Sequence, residues 1–311
     1  SLPTDVQEEF LRTIPGLQHA RMMRPGYAIE YDCLDPLQLE ASLAVKGIAV
    51  LYSAGQANGT SGYEEAAAQG LIAGINAARA CMGEEPLILR RSDGYIGVLI
   101  DDLVTNVTEE PYRMMTSRAE YRLVLRQDNA DLRLTPIGRR IGLVSDARWA
   151  RFTAKCDAIE MALAQLRETR LSPSAATEER LAAAGIPPLR TPMTLFALLA
   201  REGDYRALAA VFDLPPLADD VREEVEIMAR YDGYIRKQEE QIARMERLEA
   251  RRIPADTDYA AIGSLRLEAA EKLAAVRPRS IGQASRISGV SPADISVLLV
   301  WLEKERRMEK S

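Results

Sequence analysis

Apolar residues recur at helical spacing through much of the second half of the chain. Between residues 146 and 170 they fall three and four positions apart, which places them on one face of a helix: Trp149, Phe152, Cys156, Ile159, Leu163 and Leu166. Residues 219–252 extend the pattern in the longest predicted helix, which Gly233 is expected to interrupt. Prolines break residues 171–217, so only short helices are predicted there.

The last fifty residues predict a compact unit of three helices, at 264–276, 280–288 and 292–306. Gly289 marks a tight turn and Ser291 a helix cap, followed by Pro292 at the first helical position. This order resembles a helix-turn-helix, but the final helix is too apolar to contact base edges. We therefore expect it to be a docking helix.

In the first hundred residues the apolar positions occur in shorter runs, which are typical of an α/β domain. A short helix is predicted to begin at Thr4 or Asp5, followed by strands at 20–23 and 27–31. The apolar run 47–54 is typical of a strand buried on both faces.

A glycine-rich turn follows that run and leads directly into a predicted helix. Gly55, Gly59 and Gly62 allow the backbone to turn and to approach a ligand closely. The helix beginning at Tyr63 would present free N–H groups and a positive dipole end, which suit a phosphate or a flavin carbonyl oxygen. An ordinary strand-to-helix connection without a ligand is the alternative.

Composition narrows the functional class. The chain has 311 residues, 47% of them hydrophobic, and a net charge of −6, which suits an intracellular protein of two or more domains. No apolar run approaches 18 residues, so neither a membrane span nor an export signal is expected. Cys33, Cys81 and Cys156 lack metal or redox spacing, and His19 is the only histidine, so we expect no metal and only buried or incidental thiols.

Basic charge is concentrated in one segment. Residues 111–151 contain nine arginines and four acids, a balance of +5 within a chain of net −6. Arg118, Arg122 and Arg126 recur every fourth residue, so a helix or a strand would place them on one face, where they could follow a phosphate backbone. Tyr112 and Tyr121 could stack on an unpaired base. Some arginines are expected instead to pair with Glu120, Asp128 or Asp131.

Four blocks of this sequence resemble the GidA/MnmG family. The most specific is AGQANGTSGYEEAAAQG at 54–70, and the others are RPGYAIEYD at 24–32, residues 110–135, and YDGYIRKQ at 231–238. Members of this family are FAD-dependent enzymes that add a carboxymethylaminomethyl group to C5 of the wobble uridine (U34) of transfer RNA. The fold expected from the resemblance is an α/β remnant of an FAD-binding (Rossmann-like) domain followed by a mostly α-helical C-terminal region.

The resemblance also implies site residues and partners, although it assigns no catalytic residue in this chain. FAD is expected at the glycine turn, through Gly55, Gln56, Asn58, Gly59, Thr60, Gly62 and Tyr63. NADH and methylenetetrahydrofolate are implied as co-substrates. Transfer RNA is expected at Arg113, Arg118, Arg122 and Arg126. The partner GTPase MnmE is expected at the terminal helices, through Gly282, Ser285, Arg286 and Ser288. The family also implies a cytoplasmic homodimer.

Half of the expected cofactor site is absent from this sequence. No Gly-x-Gly-x-x-Gly occurs, so we expect the C-terminal half of a longer enzyme, inactive alone. Three parts are predicted: residues 1–107 from the FAD-binding domain, 108–255 as a helical domain with the basic segment, and 256–311 as a docking subdomain. The alternative from another class is a non-catalytic RNA- or protein-binding helical module.

Overall fold

A computed structural model of the chain describes residues 2–106 and 110–308. Helices dominate these residues. In chain order they are α1 Thr4–Arg12, α2 Tyr63–Cys81, α3 Tyr95–Thr105, α4 Ala130–Arg140, α5 Asp146–Glu168, α6 Ala175–Ala183, α7 Leu195–Glu202, α8 Tyr205–Phe212, α9 Asp219–Glu249, α10 Leu267–Val276, α11 Ile281–Ala284 and α12 Pro292–Met308. The described residues also contain one antiparallel pair of short strands, β1 Arg170–Leu171 and β2 Met193–Thr194.

The largest apolar core lies where α5, α7 and α9 pack together. The predicted stripe on α5 is confirmed, because Ile159, Leu163 and Leu166 are buried in this core. The hydroxyl of Ser145 caps α5 by accepting the N–H of Arg148. The long helix α9 is also confirmed, but it runs through Gly233 without the expected break. Burial of its apolar face outweighs the low helix propensity of one glycine, about 1 kcal/mol.

The terminal residues form a second, separate core, and the predicted three-helix unit is confirmed with a shorter middle helix, α11. Two backbone hydrogen bonds join this unit to the end of α9: Ile253 N–H donates to Arg279, and Ile281 N–H donates to Arg251. The expected cap of α12 is present, because Ser291 and Asp294 bond each other reciprocally. The terminal unit is therefore attached directly to the longest helix.

The first region differs from its prediction. Helix α1 is confirmed, but its N-cap is Pro3 and it ends at Arg12. Residues 20–31 and 47–51 form turns and irregular backbone, so the three predicted strands are wrong, and only isolated bridges such as Ala44 to Tyr52 occur there. A strand needs a continuous row of backbone partners, and for the run 47–54 the partners among the described residues are limited to bonds such as that from the N–H of Val45 to the carbonyl of Leu51. The predicted boundary at 107/108 lies outside the described residues, and the boundary at 255/256 stays a prediction.

Residues 111–129 of the basic segment are irregular, so a ladder of Arg118, Arg122 and Arg126 on one helix or strand is wrong. The regular features of these residues are a bridge between Tyr112 and Thr60 and a single 3-10 turn at Thr116–Arg118. The side chain of Gln238 on α9 accepts the N–H groups of Leu123 and Val124 at 3.1 and 3.2 Å. Hydrogen bonds to α2 and α9, rather than local periodicity, therefore set the path of this segment.

Candidate cofactor and nucleic-acid interface

The glycine turn is a short 3-10 helix, Gly55–Asn58, followed directly by the start of α2. Gly55 and Gly59 have φ of +85° and +77°, a left-handed conformation that residues with a Cβ seldom adopt. The turn therefore requires glycine at these two positions. Gly62 has an ordinary φ, but a Cβ there would overlap the carboxylate of Glu65, which folds back over it.

Two predicted ligand-binding side chains instead hold the turn together from inside. Asn58 and Thr60 are buried, and both bond to Gln69 of α2, at 2.8 and 3.0 Å. Gln69 also accepts the N–H of Gly55. The side chains of Asn58 and Thr60 thus position the backbone and do not face outward. Gln56 is half-buried and donates to the carbonyl of Asp32 at 2.7 Å.

The start of α2 is open. No side chain caps this helix at Gly62, and the ring of Tyr63 at its first position is 93% exposed. Uncapped N–H groups at a helix N-terminus are suited to a cofactor oxygen. One oxygen of Glu65, in the first turn, is buried without a hydrogen-bond partner among the described residues. The backbone N–H groups of Gly62 and Tyr63 at this helix start therefore suit one side of a flavin, whereas the buried side chains nearby do not.

Tyr112 joins the glycine turn to the basic segment. Its N–H donates to the carbonyl of Gly59 at 2.7 Å, and its carbonyl accepts the N–H of Ser61 at 3.3 Å. Its hydroxyl donates to Asp102 on α3 at 2.7 Å, and burial raises the pKa of this phenol. Tyr112 is only 1% exposed, so the prediction that it stacks on a base is wrong. Tyr121 is also buried, against Val98 and Leu125, and fails for the same reason.

Three of the four predicted tRNA-binding arginines lie on the surface. Arg113, Arg118 and Arg122 are exposed. Arg118 lies over the ring of Tyr112, with its guanidinium carbon 4.3 Å from the centroid, and donates to the carbonyl of Arg113 at 3.0 Å. None of the three forms an ion pair with any other residue that the structure describes. Their charges remain available to an anionic ligand.

Arg126 differs from those three arginines. It bonds Asp128 at 2.9 Å and Glu224 of α9 at 2.7 Å, and its side chain is only 14% exposed. It also donates to the carbonyl of Leu123. Burial raises the pKa of Glu224 to about 7, and Asp128 beside it adds to that shift. Pairing with Asp128 was expected for some arginines, and Arg126 shows it, so its charge is satisfied internally.

The four residues expected to contact a partner GTPase differ in burial. Gly282 is buried against Glu249 of α9. Arg286 bonds both carboxylate oxygens of Asp101 on α3, at 2.8 and 2.9 Å, and also pairs with Glu249. These two residues therefore fix the terminal unit to the rest of the chain, because α11 lies against α9. Ser285 is half-buried and Ser288 is exposed.

Three family profiles match most of the chain and leave residues 86–145 outside them. Residues 1–85 match "Glucose inhibited division protein A", residues 146–239 match the "tRNA modifying enzyme MnmG/GidA C-terminal helical domain", and residues 241–311 match the corresponding "C-terminal helical bundle". The chain belongs to the GidA/MnmG family.

Relatives within this family are close. The tRNA uridine 5-carboxymethylaminomethyl modification enzyme MnmG of Caldicellulosiruptor saccharolyticus is 57% identical over 100% of this chain and 50% of its own length. The MnmG of Clostridium novyi is 56% identical over 99% of the chain and 49% of its own length. A solved structure of Aquifex aeolicus GidA is 42% identical, covers 97% of this chain and 48% of its own, and has a TM-score of 0.80. The chain thus spans about half the length of the curated relatives it matches.

Sequence reasoning missed three polar residues that organise this family's site here: Gln69, Asp102 and Gln238. Gln69 and Asp102 are buried within helices α2 and α3. A polar side chain within an apolar helical run is the signal that could have identified Asp102, because burial requires a hydrogen-bonding partner. Gln238 carries no such signal, since its role depends on a segment more than one hundred residues away.

Other expectations concern thiols, metals and membranes. Cys33 and Cys81 are exposed rather than buried, and Cys156 is half-buried, where burial raises the pKa of its thiol. Within residues 2–106 and 110–308, no three histidine, cysteine or acidic side chains are grouped as a metal site would require. No helix in those ranges has the length and apolar character of a membrane span.

Proposed function

We propose that this chain supplies the C-terminal half of an FAD-dependent enzyme that modifies the wobble uridine of transfer RNA. One observation carries the proposal: the hydrogen bonds from Tyr112 to Gly59 and Ser61 place the glycine turn directly beside the basic segment. A flavin against the turn and an RNA along the arginines would then be neighbours. Relatives of about twice this length are named as tRNA uridine modification enzymes, which supports the same reading.

In this proposal the backbone of Gly59 to Tyr63 contacts FAD, and Tyr63 offers its exposed ring beside the cofactor. The flavin would supply the redox chemistry, with NADH as its reductant and methylenetetrahydrofolate as the one-carbon donor. Residues 1–107 would then complete a Rossmann-like domain together with a segment that carries the glycine fingerprint. The many exposed apolar residues in 20–51 support this reading.

The RNA would lie along Arg113, Arg118 and Arg122, because these arginines are exposed and have no ion-pair partner among the described residues. Arg126 is omitted from the contact surface. The partner GTPase MnmE would dock on the terminal unit, where Ser288 and the apolar side chains of Leu267 and Val300 are exposed. A cytoplasmic homodimer completes the proposal.

Charge reversal tests the RNA face. Replacing Arg113, Arg118 and Arg122 with Glu, singly, should weaken binding of an anticodon stem-loop to the 311-residue chain. Each variant should also lower the slope of log K against log salt by about one unit, because one phosphate contact is lost. Fluorescence anisotropy at several salt concentrations measures both quantities. Arg190→Glu, an exposed arginine after α6, is the control. Unchanged slopes in all three variants would contradict the proposed face.

The cofactor is tested by comparing the chain alone with a protein that also carries the preceding half of the family sequence. The chain alone should purify without flavin, because the glycine turn contacts only one side of the cofactor. The longer protein should carry FAD, and Gly59→Val should reduce its flavin content, since valine is strained at a φ of +77°. Absorbance and released flavin measure this content. Stoichiometric flavin on the chain alone would contradict the half-site argument.

A further inference from the structure

The proposed site uses only Gln238 of the YDGYIRKQ block on α9 and leaves the two tyrosines of this block without a role. Its two tyrosines are at the surface: Tyr234 is 66% exposed and Tyr231 is 36% exposed. Tyr112 and Tyr121, which the sequence favoured for stacking, are buried. Exposed rings beside a basic segment are therefore found on α9 instead.

Two anchors fix the basic segment along one face of α9. Gln238 accepts the N–H groups of Leu123 and Val124, and Glu224 bonds Arg126. Glu224, Tyr231 and Gln238 are spaced by seven residues and so lie on the same face of the helix. The segment 123–126 thus runs along the face that carries Tyr231.

Tyr234 lies on that face too, one turn before Gln238, because residues four apart on a helix are neighbours. Gln238 holds Leu123, and Arg122 precedes Leu123 directly. The exposed Tyr234 is thus one helical turn from the Gln238–Leu123 hydrogen bond, and the exposed Arg122 is one residue from it.

The charges around this ring favour an anionic partner. Arg122 and Lys237 are exposed and form no ion pair with any described residue. Arg236 pairs with Asp232 at 3.5 Å. Glu239 and Glu240 are exposed, but they lie about 140° and about 120° around the helix from Tyr234, whereas Lys237 lies only about 60° from it. An aromatic ring beside unpaired cations is the arrangement that binds single-stranded nucleic acids.

We propose that Tyr234 is a stacking platform for an unpaired base of the RNA bound along Arg113, Arg118 and Arg122. The inference rests on the proposed function, because it assumes that these arginines contact the RNA backbone. The inference adds an RNA-contact residue on α9, and this residue would contact a base rather than a phosphate. Arg122 would hold the phosphate next to that base.

The test compares Tyr234→Ala with Tyr234→Phe in the 311-residue chain, using an anticodon stem-loop that carries 2-aminopurine in its loop. Loss of one base stack should weaken binding by about 5- to 100-fold, whereas phenylalanine should keep affinity within about twofold. The salt slope should not change for either variant, because the ring is uncharged. Bound wild-type chain should quench 2-aminopurine, and Tyr234→Ala should lose that quenching.

The controls separate this inference from the proposed function. Phe10→Ala removes an exposed ring on α1 and should leave binding unchanged. If Arg122→Glu weakens binding and Tyr234→Ala does not, the stacking role is overturned while the RNA face stands. If neither variant affects binding, the stacking role is overturned and Arg122 is removed from the RNA face, which is then decided by Arg113→Glu and Arg118→Glu. Circular dichroism of Tyr234→Ala should match the wild type, because this side chain is mostly exposed.

Discussion

Residues 13–51 and the α5–α9 region have similar apolar character but differ in burial, because in the first segment only Leu39 and Leu43 are buried among the large apolar side chains, against α2 and α3. In the first segment, large apolar side chains such as Met23, Ile48 and Val50 are exposed, and only isolated bridges form. In the second, Leu195, Leu198 and Leu199 are completely buried in a continuous core. Apolar content therefore did not decide which region closed its own core.

The difference follows from where each element finds its hydrogen-bonding partners. A helix satisfies its backbone within the segment, so α5 and α9 need only opposed apolar faces to pack. A strand satisfies its backbone only with another strand, and the first segment forms only isolated bridges among the residues that the structure describes. Most of its large apolar side chains are therefore left exposed or half-buried.

The largest predicted effect concerns the ion pairs that join the terminal unit to α3 and α9. Arg286→Ala should lower the free energy of unfolding by about 3–5 kcal/mol, because in a largely buried site Glu249 loses its cation and Asp101 keeps only its pair with Arg91. Urea denaturation followed by circular dichroism measures it. Arg279→Ala, which breaks the more exposed pair with Glu40, should cost no more than about 1 kcal/mol. Equal losses for both variants would show that burial does not distinguish these pairs.

Truncation of a core side chain in α7 should have a somewhat smaller effect on the free energy of unfolding. Compared with truncation in the first segment, it tests the difference in burial between the two regions. Leu199→Ala should cost about 2–5 kcal/mol, because Leu199 is completely buried between α7 and α9. Leu51→Ala in the first segment should cost about 0.5 kcal/mol or less, since Leu51 is 47% exposed. Both values come from urea denaturation under the same conditions. A large loss at Leu51 would mean that the first segment has a core of its own.

The remaining prediction is a pH dependence set by Glu224. Its folded pKa of about 7 lies above the unfolded value of about 4.3, so the folded chain binds more protons between these values. Stability contributed by this group should therefore fall as pH rises from about 4.3 to 7 and level off above that. Glu224→Gln should flatten the slope in this window. A wild-type stability that rises through the same window while the variant stays flat would contradict the assigned direction.

Sequence reasoning succeeded where the signal was local. The stripe from Trp149 to Leu166 predicted α5 almost to its last residue, and the glycines at 55 and 59 predicted the turn that the structure shows. The turn could be placed, but the directions of Asn58 and Thr60 could not. Both directions depend on hydrogen bonds to Gln69, which lies in the next helix, α2.

The arginine segment shows the limit most clearly. Four arginines have similar sequence surroundings, yet Arg126 is neutralised by Glu224, which is 98 residues away, while Arg122 stays exposed. Likewise the sequence alone makes Arg286 resemble a surface residue of a docking helix, whereas in the structure it pairs with Asp101, which is 185 residues away. A single sequence gives no distance between such partners.

By itself, the sequence determined the family, the helices of the second half and the glycines of the turn. These depend on specific residue order, on short-range periodicity and on backbone conformation at single positions. Only the tertiary structure decided which charged and aromatic side chains face solvent. That choice depends on contacts between distant segments, because the cost of burying a charge is offset only when a partner from elsewhere in the chain meets it.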